Sequence, residues 1–208
     1  MTEMLISAFV TLFVIVDPIG LAPLFIALTR GMTIAERMRV GRRALLVALV
    51  ILAVFGLFGE RLLTAIGISI PAFRISGGLL LFLTALDMLF ERRTDRRERK
   101  ADEAHLPDPS VFPLAMPLIA GPGALATMVL LSTQNSGDVT ALVGIHLVMV
   151  AVLAITYVLF RISPLVERVL GHIGIVVLTR LFGILLAALS VQFVLDGLRY
   201  YGFIGGTS

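Results

Sequence analysis

Apolar and charged residues in this chain segregate into long blocks. Apolar runs occupy about 4–28, 44–66, 71–90, 111–135, 141–164 and 178–198, and most charges fall between them. Each run is close to the roughly 20 residues that a helix rising 1.5 Å per residue needs to cross about 30 Å of hydrocarbon. The pattern predicts an all-α membrane protein with six transmembrane helices. The first run is too long for a secretory leader and lacks the leader's basic flank, so it is expected to stay as a helix.

Two of the runs are interrupted. Asp17-Pro18-Ile19-Gly20-Leu21-Ala22-Pro23 divides the first, and Pro117-Leu118-Ile119-Ala120-Gly121-Pro122-Gly123-Ala124 divides the fourth. Proline lacks a backbone donor and clashes with the preceding turn, while glycine weakens a helix. The first and fourth helices are therefore expected to be broken near the membrane midplane.

The interruptions belong to a longer internal repeat. Aligning Pro18 with Pro122 shifts the chain by 104 residues. Glu60-Arg61-Leu62-Leu63-Thr64-Ala65-Ile66-Gly67 aligns with Glu167-Arg168-Val169-Leu170-Gly171-His172-Ile173-Gly174 at a shift of 107, and Arg74-Ile75-Ser76-Gly77 with Arg180-Leu181-Phe182-Gly183 at 106. Residues 1–90 are read as one three-helix repeat, 91–108 as a charged cytoplasmic linker and 109–208 as a second repeat. Three crossings per half bring the second half into the membrane from the opposite side, which makes the repeat inverted.

Composition agrees with a bilayer setting. Apolar residues are 58% of the chain and charged residues 15%, and the mean hydropathy is +1.02. The net charge of +3 and pI near 9.9 do not point to nucleic acid, because the arginines lie between apolar runs and not along one soluble face. The absence of cysteine excludes disulfides and thiolate chemistry. Arg30, Arg37, Arg39, Arg42 and Arg43, then Arg92 to Lys100, then Arg161, Arg168 and Arg180 lie in or beside alternate loops, whereas the other side holds little beyond Arg61 and Arg199. The positive-inside bias puts these loops in the cytoplasm and both termini outside.

An unpaired peptide group costs several kcal/mol in hydrocarbon, so a broken helix persists only within protein or beside a wet cavity. There, half-helix N-termini favour an anion and freed carbonyls a cation, a combination suited to a zwitterion. An acid at the centre of a span costs about 2.5–3.5 kcal/mol, which makes Asp17 a candidate for binding substrate or a coupling proton or sodium ion, and equally a cap for the second half-helix. Its counterpart, Gly121, carries no charge. Pro18, Gly20, Gly121, Pro122, Gly123, Thr127 and Ser76 complete the candidate substrate site, with glycines leaving room for a small side chain. Asp87 and Asp196 are read as interfacial, and Arg74 and Arg180 as snorkelling or paired. Thr127 and Ser132 either bond their own helix or face the cavity. His146 and His172 have no partner at metal-ligand spacing. No zinc-protease, nucleophile-elbow or P-loop motif is present, so neither an enzyme nor a cofactor is expected.

Val16-Asp17-Pro18-Ile19-Gly20-Leu21-Ala22-Pro23-Leu24-Phe25, Gly67-Ile68-Ser69-Ile70-Pro71-Ala72-Phe73-Arg74-Ile75-Ser76-Gly77-Gly78, Ala115-Met116-Pro117-Leu118-Ile119-Ala120-Gly121-Pro122-Gly123-Ala124 and Thr179-Arg180-Leu181-Phe182-Gly183-Ile184-Leu185-Leu186-Ala187-Ala188 resemble the MarC family along essentially the whole chain. The resemblance implies a six-helix inner-membrane protein related to SnatA-type carriers of small neutral amino acids. The expected function is a secondary transporter of the glycine and alanine class, working by ion-coupled transport or exchange through alternating access. A channel-like pore, a carrier of another metabolite or drug, and a non-transporting scaffold are the alternatives. Its partners would be the bilayer and a small-molecule substrate, with contacts between copies also compatible with its many small residues.

Overall fold

The computed structural model describes residues 1–90 and 108–202. The charged segment read as a linker thus lies outside the described residues except for Asp108. Helices α1 (Thr2–Val16) and α2 (Pro18–Leu28) form the first span, followed by α3 (Ile34–Ala65) and α4 (Ile70–Leu89). After the charged segment come the irregular α5 (Ser110–Ile119), α6 (Pro122–Gln134), α7 (Val139–Arg161) and α8 (Ser163–Tyr200). By length and composition, five spans among the described residues can cross a membrane, and six can if the bent pair of α5 and α6 counts as one span.

Local sequence accounts for the helix starts. Thr33 and Glu36 form a reciprocal capping box, which starts α3 ten residues before its apolar run. Ser69 caps α4 by accepting from the Ala72 N–H at 3.3 Å, and Asp138 caps α7 by accepting from the Ala141 N–H at 3.0 Å. Phe112 and Met116 are extended within α5, each immediately before a proline whose ring disfavours the helical conformation there. α8 begins well before the expected 178, and Gly171, at φ 62°, separates its first two turns from the long apolar part.

The helix ends fall into two groups. Arg43, near the start of α3, pairs with Asp108 just before α5, while Ser69, before α4, shares a 2.8 Å hydrogen bond with Tyr201 after α8. Counting α5 and α6 as one of six passes that alternate in direction, these two contacts lie at opposite ends of the bundle. Ser110, through its hydroxyl and then its N–H, holds the Asp108 carboxyl below the usual carboxylate range, and Arg43 adds to the effect.

α4 and α8 form the most extensive helix pair. A Cβ at Gly78 would fall 2.8 Å from the Ser190 carbonyl oxygen, one at Gly183 would fall 3.2 Å from that of Ala85, and one at Gly197 would fall 2.9 Å from that of Pro71. Backbone approach at small residues is how helices gain dispersion contact in lipid, where burial of apolar surface supplies little. Elsewhere α2 packs on α7 and α8, α6 packs on α3 and α4, α1 packs on α7, α5 packs on α3, and α3 packs on α7. Phe25 and Phe160 stack at 4.2 Å between α2 and α7. The outward faces stay apolar, as with Val50, Val54 and Leu57 on α3 and Val143, Leu147 and Val150 on α7, which suits a lipid surround.

Candidate functional site at the two helix breaks

The first break is a single residue. Asp17 adopts φ 51° and ψ 63°, the left-handed conformation that side chains other than those of Asn and Asp rarely accept. Helical hydrogen bonding continues on both sides: the Asp17 N–H donates to the Phe13 carbonyl at 2.9 Å and the Leu21 N–H to the Asp17 carbonyl at 3.0 Å. Asp17 Oδ1 accepts from the Gly20 N–H at 3.0 Å, capping α2, and Pro18 takes the first helical position, where no donor is needed. The capping role considered for Asp17 is thus realised.

That cap uses one carboxylate oxygen. Asp17 is fully buried, and its Oδ2 has no hydrogen-bond partner. The surroundings are Val14, Ile15, Val16, Pro18, Leu21 and Ala22, all buried. Pro18 and Pro23 lack the amides that would otherwise bond the Val14 and Ile19 carbonyls, so these two backbone acceptors lose their usual helical donors.

The second break is wider and bends the span by 56° between α5 and α6. Gly121 stands at the N-cap of α6 without a side-chain hydrogen bond, so first-turn amides of a 13-residue helix receive no side-chain acceptor. Gly123 faces Leu81 of α4 and Ile15 of α1, its absent Cβ being 2.6 Å from Leu81 Cδ2 and 3.6 Å from Ile15 Cγ2. Ile15 is two residues before Asp17, so the two breaks pack together. Thr127, four residues after Gly123 and on the same helical face, is fully buried, and its Oγ1 has no hydrogen-bond partner. Ser132 and Thr133 further along α6 also have unpartnered buried hydroxyls.

Asp17, Pro18, Gly20, Gly121, Pro122, Gly123 and Thr127 thus lie on the two interruptions. Ser76 does not join them: it is exposed on α4 and its hydroxyl donates to the Phe73 carbonyl at 3.0 Å. The glycines do not leave room for a side chain in this conformation. A Cβ on Gly20 would sit 2.2 Å from Asp17 Oδ2, and one on Gly121 would sit 2.6 Å from the Pro117 carbonyl oxygen. Nor is the Gly20 amide free for substrate, because Asp17 already holds it. Residue types alone do not reveal which neighbour fills a glycine's space.

Two polar groups stand out that the residue pattern offered little reason to select. Ser163, at the start of α8, is fully buried with an unpartnered hydroxyl; the only signal was its place before Pro164. His146 bonds the Leu142 carbonyl through Nδ1 at 2.8 Å and turns its unpartnered Nε2 towards Gly56. Among the described residues, no group of three metal-ligating side chains comes together.

Comparison with known proteins gives this arrangement a family. The model of the MarC family integral membrane proteins matches residues 2–201. A UPF0056 membrane protein of Buchnera aphidicola is 36% identical over 93% of this chain and 92% of its own length. Another, from Archaeoglobus fulgidus, is 37% identical over 92% and 91%, and YvbG of Bacillus subtilis is 34% identical over 96% of both chains. No solved structure matches significantly. The family model spans both breaks and all the helices joined around them, and the chain belongs to the MarC family of integral membrane proteins.

Proposed function

We propose that this protein is a secondary transporter of small neutral amino acids, of the glycine and alanine class, built from two inverted three-helix repeats. The observation that carries the reading is Asp17: a fully buried acid on a broken span, one oxygen capping a half-helix and the other without a partner. Such a group in lipid is costly unless it takes up a proton, a cation or a ligand. A coupling proton or sodium ion is assigned to Oδ2, with the Val14 and Ile19 carbonyls as added acceptors for sodium. The substrate carboxylate is assigned to the uncapped first turn of α6, with Thr127 on the same face.

Helix contacts support the inverted repeat. Exchanging the halves maps α2 on α8 onto α6 on α4, α1 on α7 onto α5 on α3, and α2 on α7 onto α6 on α3. The α3–α7 and α4–α8 pairs map onto themselves. This internal correspondence suits alternating access by one half rocking against the other. Since the glycine positions are filled, the present conformation is read as closed around the breaks.

Counterflow tests this reading. Proteoliposomes loaded with unlabelled alanine are given labelled alanine outside, and wild type is compared with Asp17→Asn. Transient accumulation by wild type is expected, with accumulation driven by a proton or sodium gradient lost in the variant. Folded wild-type protein that exchanges neither glycine nor alanine would reject the substrate class.

A further inference from the structure

The start of α4 and the end of α8 border an open cavity of about 590 Å³, lined chiefly by Ser69, Pro71, Arg74, Asp196, Arg199 and Tyr200. It belongs to the end of the bundle marked by the Ser69–Tyr201 hydrogen bond, opposite the Arg43–Asp108 pair. Its volume falls in the range of about 300–1,000 Å³ usual for small-molecule sites. Two cations and one acid share this space.

The arginines are not equivalent. Arg199 Nη1 lies 3.6 Å from Asp196 Oδ1, which also accepts from Gln192 Nε2 at 2.8 Å. Arg74 forms no ion pair among the described residues, and its Nε is buried without a hydrogen-bond partner. A buried donor left unmatched is costly, and more so when it is charged. Arg74 therefore calls for an oxyanion, for which a planar guanidinium is well shaped. Asp196 Oδ2, not engaged by Gln192 or Arg199, can accept from a cationic group of the same ligand.

We propose that this cavity binds a zwitterion, with its carboxylate or phosphate on Arg74 and its ammonium group on Asp196. The site is separate from the breaks and does not depend on transport. The shared chemistry has two sources: a free amino acid, or the phosphoethanolamine headgroup of a lipid at the interface where Tyr200 and Tyr201 lie.

The test uses purified full-length protein in detergent after delipidation. Labelled alanine is titrated against wild type and against the Arg74 and Asp196 variants, so that ligand held at the breaks stays constant across the series. Phosphatidylethanolamine is followed separately by native mass spectrometry of the wild type. Either alanine or the lipid is expected to bind, and which one does so names the source. Arg74→Gln should weaken that binding at least tenfold. Asp196→Asn should weaken it comparably while leaving propionate, or phosphatidylglycerol in the lipid arm, unaffected because neither has an ammonium group. Arg74→Lys, which keeps the charge but lacks Nε–H, should weaken binding at least threefold and serves if Arg74→Gln does not fold. Absence of binding in both arms, or binding indifferent to Arg74 and Asp196, overturns the proposal.

Discussion

The two breaks solve the same backbone problem in opposite ways. At the first, one left-handed residue interrupts the span, and its own side chain satisfies the half-helix that follows. At the second, several non-helical residues bend the span by 56° and α6 starts without a side-chain cap. One break therefore has an unpartnered acceptor and the other has uncapped donors. An acid at both places would set two buried like charges near each other; an acid at one and glycine at the other gives opposite polarities to one centre.

The strongest way to break this comparison is at Asp17. Asp17→Ala removes the cap, worth about 1 kcal/mol, and places alanine in the left-handed region, costing about 1–2 kcal/mol more. Asp17→Asn keeps an acceptor for the Gly20 N–H and tolerates that conformation. The alanine variant should therefore be about 2–3 kcal/mol less stable than the asparagine variant, read as melting temperature in detergent, while both lose gradient-driven uptake at least tenfold. Equal stability of the two would show that the cap contributes nothing.

Next come the glycines. At Gly121 an added methyl would meet the Pro117 carbonyl, part of the backbone, at 2.6 Å; at Gly123 it would meet the end of the flexible Leu81 side chain at the same 2.6 Å. Overpacking typically costs about 1–3 kcal/mol. Gly121→Ala should fall at the upper end and Gly123→Ala at the lower, and Leu81→Ala should rescue the second alone. Rescue of Gly121→Ala by Leu81→Ala would mean that the second break is shaped by side-chain crowding and not by its own backbone.

How far the residues disclose these features follows from what each depends on. The six apolar blocks and both interruptions were legible because lipid requires apolar faces and because Pro18, Pro117 and Pro122 act on their own backbone. The early start of α3 was missed by hydropathy, since Arg37, Arg39, Arg42 and Arg43 hide a helix that Thr33 and Glu36 begin. The kink at Gly171 was hidden likewise, as glycine alone does not tell a bend from a close contact. Space at Gly20 and Gly123 was misjudged because its occupants, the Asp17 carboxylate and Leu81, are fixed by rotamer and tertiary packing. Ser76 stays apart from the site because the α4 face that packs inward holds Gly77 and Gly78, both buried, while Ser76 is exposed.

The smallest expected effect sets the buried acid against an exposed one. Asp108 has what Asp17 Oδ2 lacks: Ser110 and Arg43 as partners, which lower its carboxyl below the ordinary value near 3.8. A carboxyl depressed in the folded state contributes stability that is fully present above its unfolded value and is lost as pH falls through the folded one. Acidification from pH 5 to below about 3.5 should thus loosen the start of α5, by less than about 1 kcal/mol because the pair is solvent-screened. Hydrogen exchange at the Ser110 amide should rise over that interval in wild type, whereas in Asp108→Asn it should already be raised and stay flat. If exchange at the Ser110 amide stays flat in wild type as well, Asp108 contributes nothing to the start of α5, and the contrast between a fully partnered carboxylate and the half-partnered one at Asp17 fails.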